Sequence, residues 1–239
     1  MKRFNFKDQI VFENENYIAI NKPAGVSSLH ERLGVANSVI EQAKNYNEHL
    51  QLCHRLDKET SGVLLLSKHA AAYSHAAVSF EKRRVTKTYH AVADGAHKFE
   101  HFEVNLPLIT TRSGRSAVSK QKGKPCTTFF TTIQNFKHHS LIACEPVTGR
   151  QHQIRIHLAS QNAPITADGI YGGKMPYLSR FKKNFTTNKT EEETPMINRF
   201  ALHAYSLSLN DIDGTALEIV AEYPKDLAVF KKKLRKFDT

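Results

Sequence analysis

The sequence has only three cysteines in 239 residues, Cys53, Cys126 and Cys144, with no C-x-x-C pair. An odd, widely spaced set argues against a disulfide framework and a cysteine-based zinc site. All three are expected reduced and mostly buried. Long apolar runs are also missing: the longest span a few residues, such as Val63-Leu64-Leu65-Leu66, too few for a transmembrane helix. The start, MKRFNFKDQIVF, has no apolar stretch of signal-peptide length, being interrupted by Asp8 and Gln9. These absences lead us to expect a cytoplasmic protein without a membrane partner. No H-E-x-x-H or G-x-S-x-G occurs, and Gly123-Lys124 is followed by Pro125 rather than the Ser or Thr of a phosphate loop. His152 and His157, five apart, would not share one helical face. Neither a metal nor another cofactor is expected.

What is abundant is positive charge. Lys and Arg total 34 against 23 Asp and Glu, a net +11, and the pI is near 9.5. The apolar fraction, 40%, suffices for a real core. Charge alone allows either simple solubility or a polyanionic partner. Its distribution favours nucleic acid: Thr111 to Pro125 carries Arg112, Arg115, Lys120, Lys122 and Lys124 with no acid, and a second basic run closes the chain from Lys225 to Lys236. A lipid-binding helix would need a longer apolar face than Leu227, Phe230 and Leu234 supply.

No boundary or repeat divides the chain, so residues 1–239 are read as one domain. Strands are expected at Tyr17–Asn21, Gly62–Lys68, Val85–Ala93, Cys126–Ile133, Leu141–Pro146, Ala204–Asn210 and Leu217–Ala221. Helices are expected over Asn37–Leu50, His69–Arg83 and Pro224–Lys236. Thr148-Gly149-Arg150-Gln151 has capping-box form and would start a helix through Leu158, although the alternation there also permits a strand. Residues 172–198 read as a long surface loop. Strands outnumber helices, giving an α+β class with a mixed or antiparallel sheet.

Two segments concentrate chemistry. In His54-Arg55-Leu56-Asp57-Lys58-Glu59-Thr60-Ser61-Gly62 a charged loop runs straight into the apolar stretch, placing Asp57 against the core, where a carboxylate needs a cation or donors. Arg55 is near in sequence and Arg155 can approach in space. An Asp that merely satisfies loop amides is the alternative. The second segment, Gly149 to Leu158, packs Arg150, His152, Arg155 and His157 beside the expected helix start, where a solvated face that caps the helix and holds phosphate at its N-terminus is the plainer reading.

The order HRLDKETSG–VLLLSK, KTYHA, PVTGRQHQIRIHLA, DGIYGG, RFALHA, with NKPAGV upstream and YPKDL at the end, resembles the RluA-type pseudouridine synthases over about residues 10–235. The resemblance implies a bisected, mixed and mostly antiparallel sheet with flanking helices, and cofactor-free isomerisation of uridine to pseudouridine in rRNA or tRNA. It implies Asp57 as the essential carboxylate, Tyr89 as the tyrosine packing on the base and taking its carbon-5 proton, and Arg155 as the partner of the aspartate. Arg55 resembles the arginine that helps displace the base, and Leu202 an apolar pocket residue; Arg150 and His152 join them as expected substrate-binding residues. Two departures stand out. The usual Gly-Asp before the Tyr-Gly motif reads Ala167-Asp168, and the chain is expected to lack the S4-type domain many relatives carry.

Such a reaction breaks a carbon–nitrogen bond, turns the uracil and forms a carbon–carbon bond. One ionised carboxylate can act as nucleophile or assist sugar deprotonation, and the base must leave its stack. The basic segment 111–125 and the loop 172–198 are candidates to hold an RNA stem-loop, and the protein is expected to act as a monomer. The competing readings are a non-catalytic RNA-binding or ribosome-assembly protein on the same fold, and a metal-dependent hydrolase built from His54, His152, His157 and His203.

Overall fold

The computed structural model describes residues 4–30, 38–111, 114–182, 185 and 192–239. Asn37, Arg112, Glu191 and positions 183–184 and 186–190 of the expected loop lie outside them. The described chain forms two compact units: residues up to Tyr89 with His203–Tyr223, and His90–Leu202 with Pro224 onward.

The first unit is built around β4 (Ser61–Ser67), in which every residue is buried. Its continuous apolar run reflects burial on both faces. Leu64 and Leu66 enter one cluster with Ile18, Ile20, Val39, Ala43 and Leu56, while Val63 and Leu65 enter another with Tyr17, Ala19, Ala72 and Ala76. β2 (Tyr17–Lys22) pairs antiparallel with β4, and β1 (Ile10–Glu13) with β2. The short β3 (Gln51–Leu52) also runs antiparallel to β4, while β11 (Leu202–Asn210) meets it in parallel at Ser61 and Gly62. β12 (Ala216–Val220) lies antiparallel on β11. Gly62 is dictated by this meeting: a Cβ there would sit 2.1 Å from Ala204 O.

Two helices close the faces. α1 (Val39–Tyr46) is capped by Ser38, whose hydroxyl accepts from Glu41 N. α2 (Ala70–Glu81) is capped by His69, whose ring accepts from Ala72 N. β5 (Thr86–Asp94) begins one residue later than expected. Val85 therefore falls outside the alternation and packs in the α2-side cluster, while Tyr89 packs in the α1-side cluster.

In the second unit the hairpin of β9 (Thr127–Asn135) and β10 (His139–Pro146) carries β6 (Phe102–Asn105) on its β9 edge. A separate small hairpin joins β7 (Leu108–Thr110) to β8 (Ser116–Val118), so part of the basic segment 111–125 is strand. α3 (Gln153–Ser160) starts later than the capping-box reading placed it. Gln153, not Gln151, makes the return bond: its Oε1 accepts from Arg150 N and Thr148 Oγ1, and its Nε2 donates to Thr127 O. Once Gln153 is anchored on β9, His152 takes the left-handed turn into the helix, at φ 56. Gln153 through Leu158 are all buried, which leaves no solvated face.

The loop expected over 172–198 holds only a 3-10 turn, Leu178–Arg180, among its described residues, but Met196 and Ile197 are buried. α4 (Lys225–Phe237) buries Leu227, Phe230 and Leu234, so its apolar stripe is a packed face. Among the described residues no helix is long and apolar enough to cross a membrane.

Candidate active site

Asp57 follows Leu56, which is anchored twice. Leu56 joins the α1-side core, and its backbone is clamped by Ser28, whose Oγ donates to Leu56 O (2.9 Å) and accepts from Leu56 N (3.1 Å). On the other side, Lys58 O accepts from Gly25 N and from Lys22 Nζ. Lys22 is fully buried, and its ammonium also donates to Pro23 O and Val26 O at 2.9 and 2.8 Å. The NKPAGV segment thus staples its own turn to the residue after Asp57. Thr60 N donates to Asp57 O, closing a tight loop before β4. The Asp57 side chain stays half-buried in this frame. Thr60 Oγ1 is buried without a hydrogen-bond partner among the described residues.

Tyr89 faces the same region. Burial, and then the charge of Asp57, hold its phenol well above the usual tyrosine range. The two residues are therefore close enough to interact, and Tyr89 is protonated in the resting site. Two positions earlier on β5, burial lowers Lys87 to about 8. Arg55 is exposed at the mouth of the loop.

His54, which opens the HRLD segment, is a half-buried acceptor. Leu65 N donates to its Nε2 at 3.0 Å, and Cys53 N donates to Leu65 O. Burial, with a smaller contribution from Lys87, lowers His54 to about 3. An unfolded chain takes up a proton near pH 6.5 that the folded chain refuses, so His54 supports the fold fully above that pH and loses its support as pH falls toward 3. Between pH 6.5 and 5 the contribution is about 2 kcal/mol. Urea unfolding of wild type should weaken over that interval, and His54→Gln should show a flatter profile; parallel profiles would contradict this.

In the second unit Arg155 is 3% exposed and bound in a fork to Asp168, with Nε–Oδ2 2.6 Å and Nη2–Oδ1 2.8 Å. Its guanidinium lies 4.2 Å from the Phe200 ring centre and 4.9 Å from that of Tyr171. The Tyr171 hydroxyl meets His152 Nδ1 at 2.8 Å. Arg150 is exposed. Leu202 is buried, its carbonyl accepting from Arg199 Nη1.

Asp168, Tyr171 and Phe200 were not singled out by sequence reasoning, although DGIYGG and RFALHA contain them. Ala167 explains the departure before Asp168. It occupies φ 64, left-handed backbone that favours glycine, where its N–H donates to Lys174 O. Ala167→Gly should therefore stabilise the protein by about 0.5 to 1 kcal/mol. A lower denaturant midpoint in that variant would contradict the strain.

The four histidines of the hydrolase reading are engaged separately. His203 bridges Ser61 Oγ and Ala221 O, and His157 contacts Thr128 Oγ1 and Leu106 O. Among the described residues no three His, Cys, Asp or Glu side chains cluster as metal ligands.

A family profile described as RNA pseudouridylate synthase matches residues 16–160. The chain is 33% identical over 210 residues to ribosomal large subunit pseudouridine synthase C of Buchnera aphidicola, covering 85% of this chain and 62% of that one. It is 30% identical to ribosomal large subunit pseudouridine synthase D of Borreliella burgdorferi, covering 98% and 71%. This chain thus spans roughly two thirds of those relatives' length. The solved structure of human RNA Pseudouridylate Synthase Domain Containing 4 superposes with a TM-score of 0.71 at 23% identity, over 96% of this chain and 94% of that one, which establishes the likeness of fold. The profile match covers more than half of the sequence, and the chain belongs to the RNA pseudouridylate synthase family.

Proposed function

We propose that this chain converts uridine to pseudouridine in RNA without a cofactor, with Asp57 as the catalytic carboxylate. The observation that carries the reading is the Asp57 loop, fixed on both sides by Ser28 and Lys22, with the Asp57 charge felt by half-buried Tyr89. A protein that only binds RNA has no need of an acid so held.

In the proposed reaction the uridine N1–C1′ bond breaks, the uracil turns, a C5–C1′ bond forms, and the proton lost from C5 is balanced by one gained at N1, so product and substrate are isomers. Asp57 attacks the sugar or assists its deprotonation. Tyr89 covers the base, and because its phenol is protonated at rest, it takes the C5 proton only as it passes its own proton on. Arg155 supports turnover as a rigid, always-charged group. Arg55 and Leu202, with Arg150 and His152, are the proposed substrate contacts. The reading takes residues 1–239 as one monomeric, cytoplasmic catalytic domain.

The relatives' names make large-subunit rRNA the proposed substrate. The test is incubation of the protein with large-subunit rRNA transcripts in EDTA, followed by carbodiimide mapping of pseudouridine. New stops at discrete uridines are expected, with no change in RNA mass; an unmodified map contradicts the proposal.

A further inference from the structure

The β7–β8 hairpin and the segment leading into α3 enclose a concave pocket of about 420 Å³, walled by Thr110, Ser116, Lys122, Lys124, Arg150 and Gln151 among others. Among the described residues no wall residue is a carboxylate, and the sequence carries no Asp or Glu from Val104 to Cys144. The pocket is braced by the fold. Gln151 Nε2 donates to Gly114 O at 3.0 Å, and the Tyr171 hydroxyl donates to Ser116 O at 3.1 Å. Lys124 exchanges both backbone hydrogen bonds with Leu108, at 2.8 and 3.0 Å. Gly123, between the two lysines, is packed so tightly that a Cβ would lie 2.3 Å from Ser119 O. The lysine side chains are therefore exposed on a fixed backbone.

Ser116 is the group that calls for a ligand. It is 4% exposed, and its Oγ has no hydrogen-bond partner among the described residues. A buried hydroxyl in that state destabilises the free protein and is satisfied by an incoming acceptor. An acceptor that also suits two ammonium groups and a guanidinium is a tetrahedral oxyanion.

We propose that this pocket binds a backbone phosphodiester of the substrate RNA, Ser116 Oγ donating to one phosphate oxygen while Lys122, Lys124 and Arg150 supply the charge. The proposal rests on the reading of the protein as an RNA enzyme, and it adds a positioning site for the strand. Phosphate contacts of this kind fix register without reading sequence.

The test uses a fluorescein-labelled single-stranded oligouridylate and anisotropy titrations at several salt concentrations. Replacing Lys122 and Lys124 together by Gln should weaken binding at least tenfold at low salt and reduce the slope of log K against log salt by about 0.7, the loss of one phosphate contact. Ser116→Ala should weaken binding three- to tenfold yet raise the Tm of the free protein by about 2 to 4 °C, because the unsatisfied hydroxyl is gone. An oligonucleotide with uncharged methylphosphonate linkages should bind wild type and the double variant alike. An unchanged slope in the double variant overturns the proposal. So does stabilisation of wild type by millimolar inorganic phosphate with RNA affinity untouched, which would assign the pocket to a small anion. Binding is read without turnover. A chain that shows the slope change but makes no pseudouridine refutes the catalytic reading alone, whereas one that makes pseudouridine with the slope unchanged refutes the pocket alone.

Discussion

Asp57→Asn is expected to lower uridine conversion by at least about 10³-fold, equivalent to roughly 4 kcal/mol of barrier, while the protein unfolds within a degree or two of wild type. The substitution keeps the shape and removes the charge. Bonds to the loop's backbone help to order it: Leu56 against Ser28, Lys58 against Lys22 and Gly25, and the Asp57 carbonyl against Thr60 N. None of these bonds needs the carboxylate. The charge itself is felt by Tyr89, whose raised ionisation should relax downward in the variant. A variant that keeps a tenth or more of wild-type turnover would remove Asp57 from the mechanism.

Arg155 should show a larger effect on the fold. Arg155→Ala leaves the Asp168 carboxylate buried without its forked partner and opens space between Phe200 and Tyr171. Stability should fall by about 3 to 5 kcal/mol. Arg155→Lys should recover only part of this, since an ammonium cannot bridge both carboxylate oxygens in plane or stack on two rings. Structural loss would mask any effect on turnover, so the decisive variant is the pair Arg155→Met with Asp168→Leu, which removes both charges together. An apolar replacement of a buried ion pair is near neutral or stabilising. The pair should therefore regain most of the lost stability while turnover stays depressed at least a hundredfold. A stable double variant with normal turnover would confine Arg155 to a structural role.

The elements legible in the sequence were those whose pattern is set by their own burial. β4 shows as an unbroken apolar run because both its faces are covered, and the α4 stripe of Leu227, Phe230 and Leu234 reads as a helix face because it is one. Short edge elements such as β3, β6 and the β7–β8 hairpin did not show, because two to four partly polar residues carry no period. The start of α3 was misplaced because its cap is decided by tertiary contacts: Gln153 is held by β9, which no local motif reveals. The same holds for the site. Asp57, Tyr89 and Arg155 stood out through motif order. Asp168 did not, because its meeting with Arg155 depends on a turn that bends through left-handed Ala167. Lys22 shows in the sequence only as part of NKPAGV, and its three carbonyl partners come from two different loops.

The most direct measurement is release of tritium to water from large-subunit rRNA carrying [5-³H]uridine, with EDTA present and no added cofactor. Wild type should release label in step with pseudouridine formed, one tritium per site, and Asp57→Asn should release none above background. Release by the Asn variant at a rate near wild type, or no release by wild type on any RNA that it binds, would contradict the claim that this carboxylate drives isomerisation.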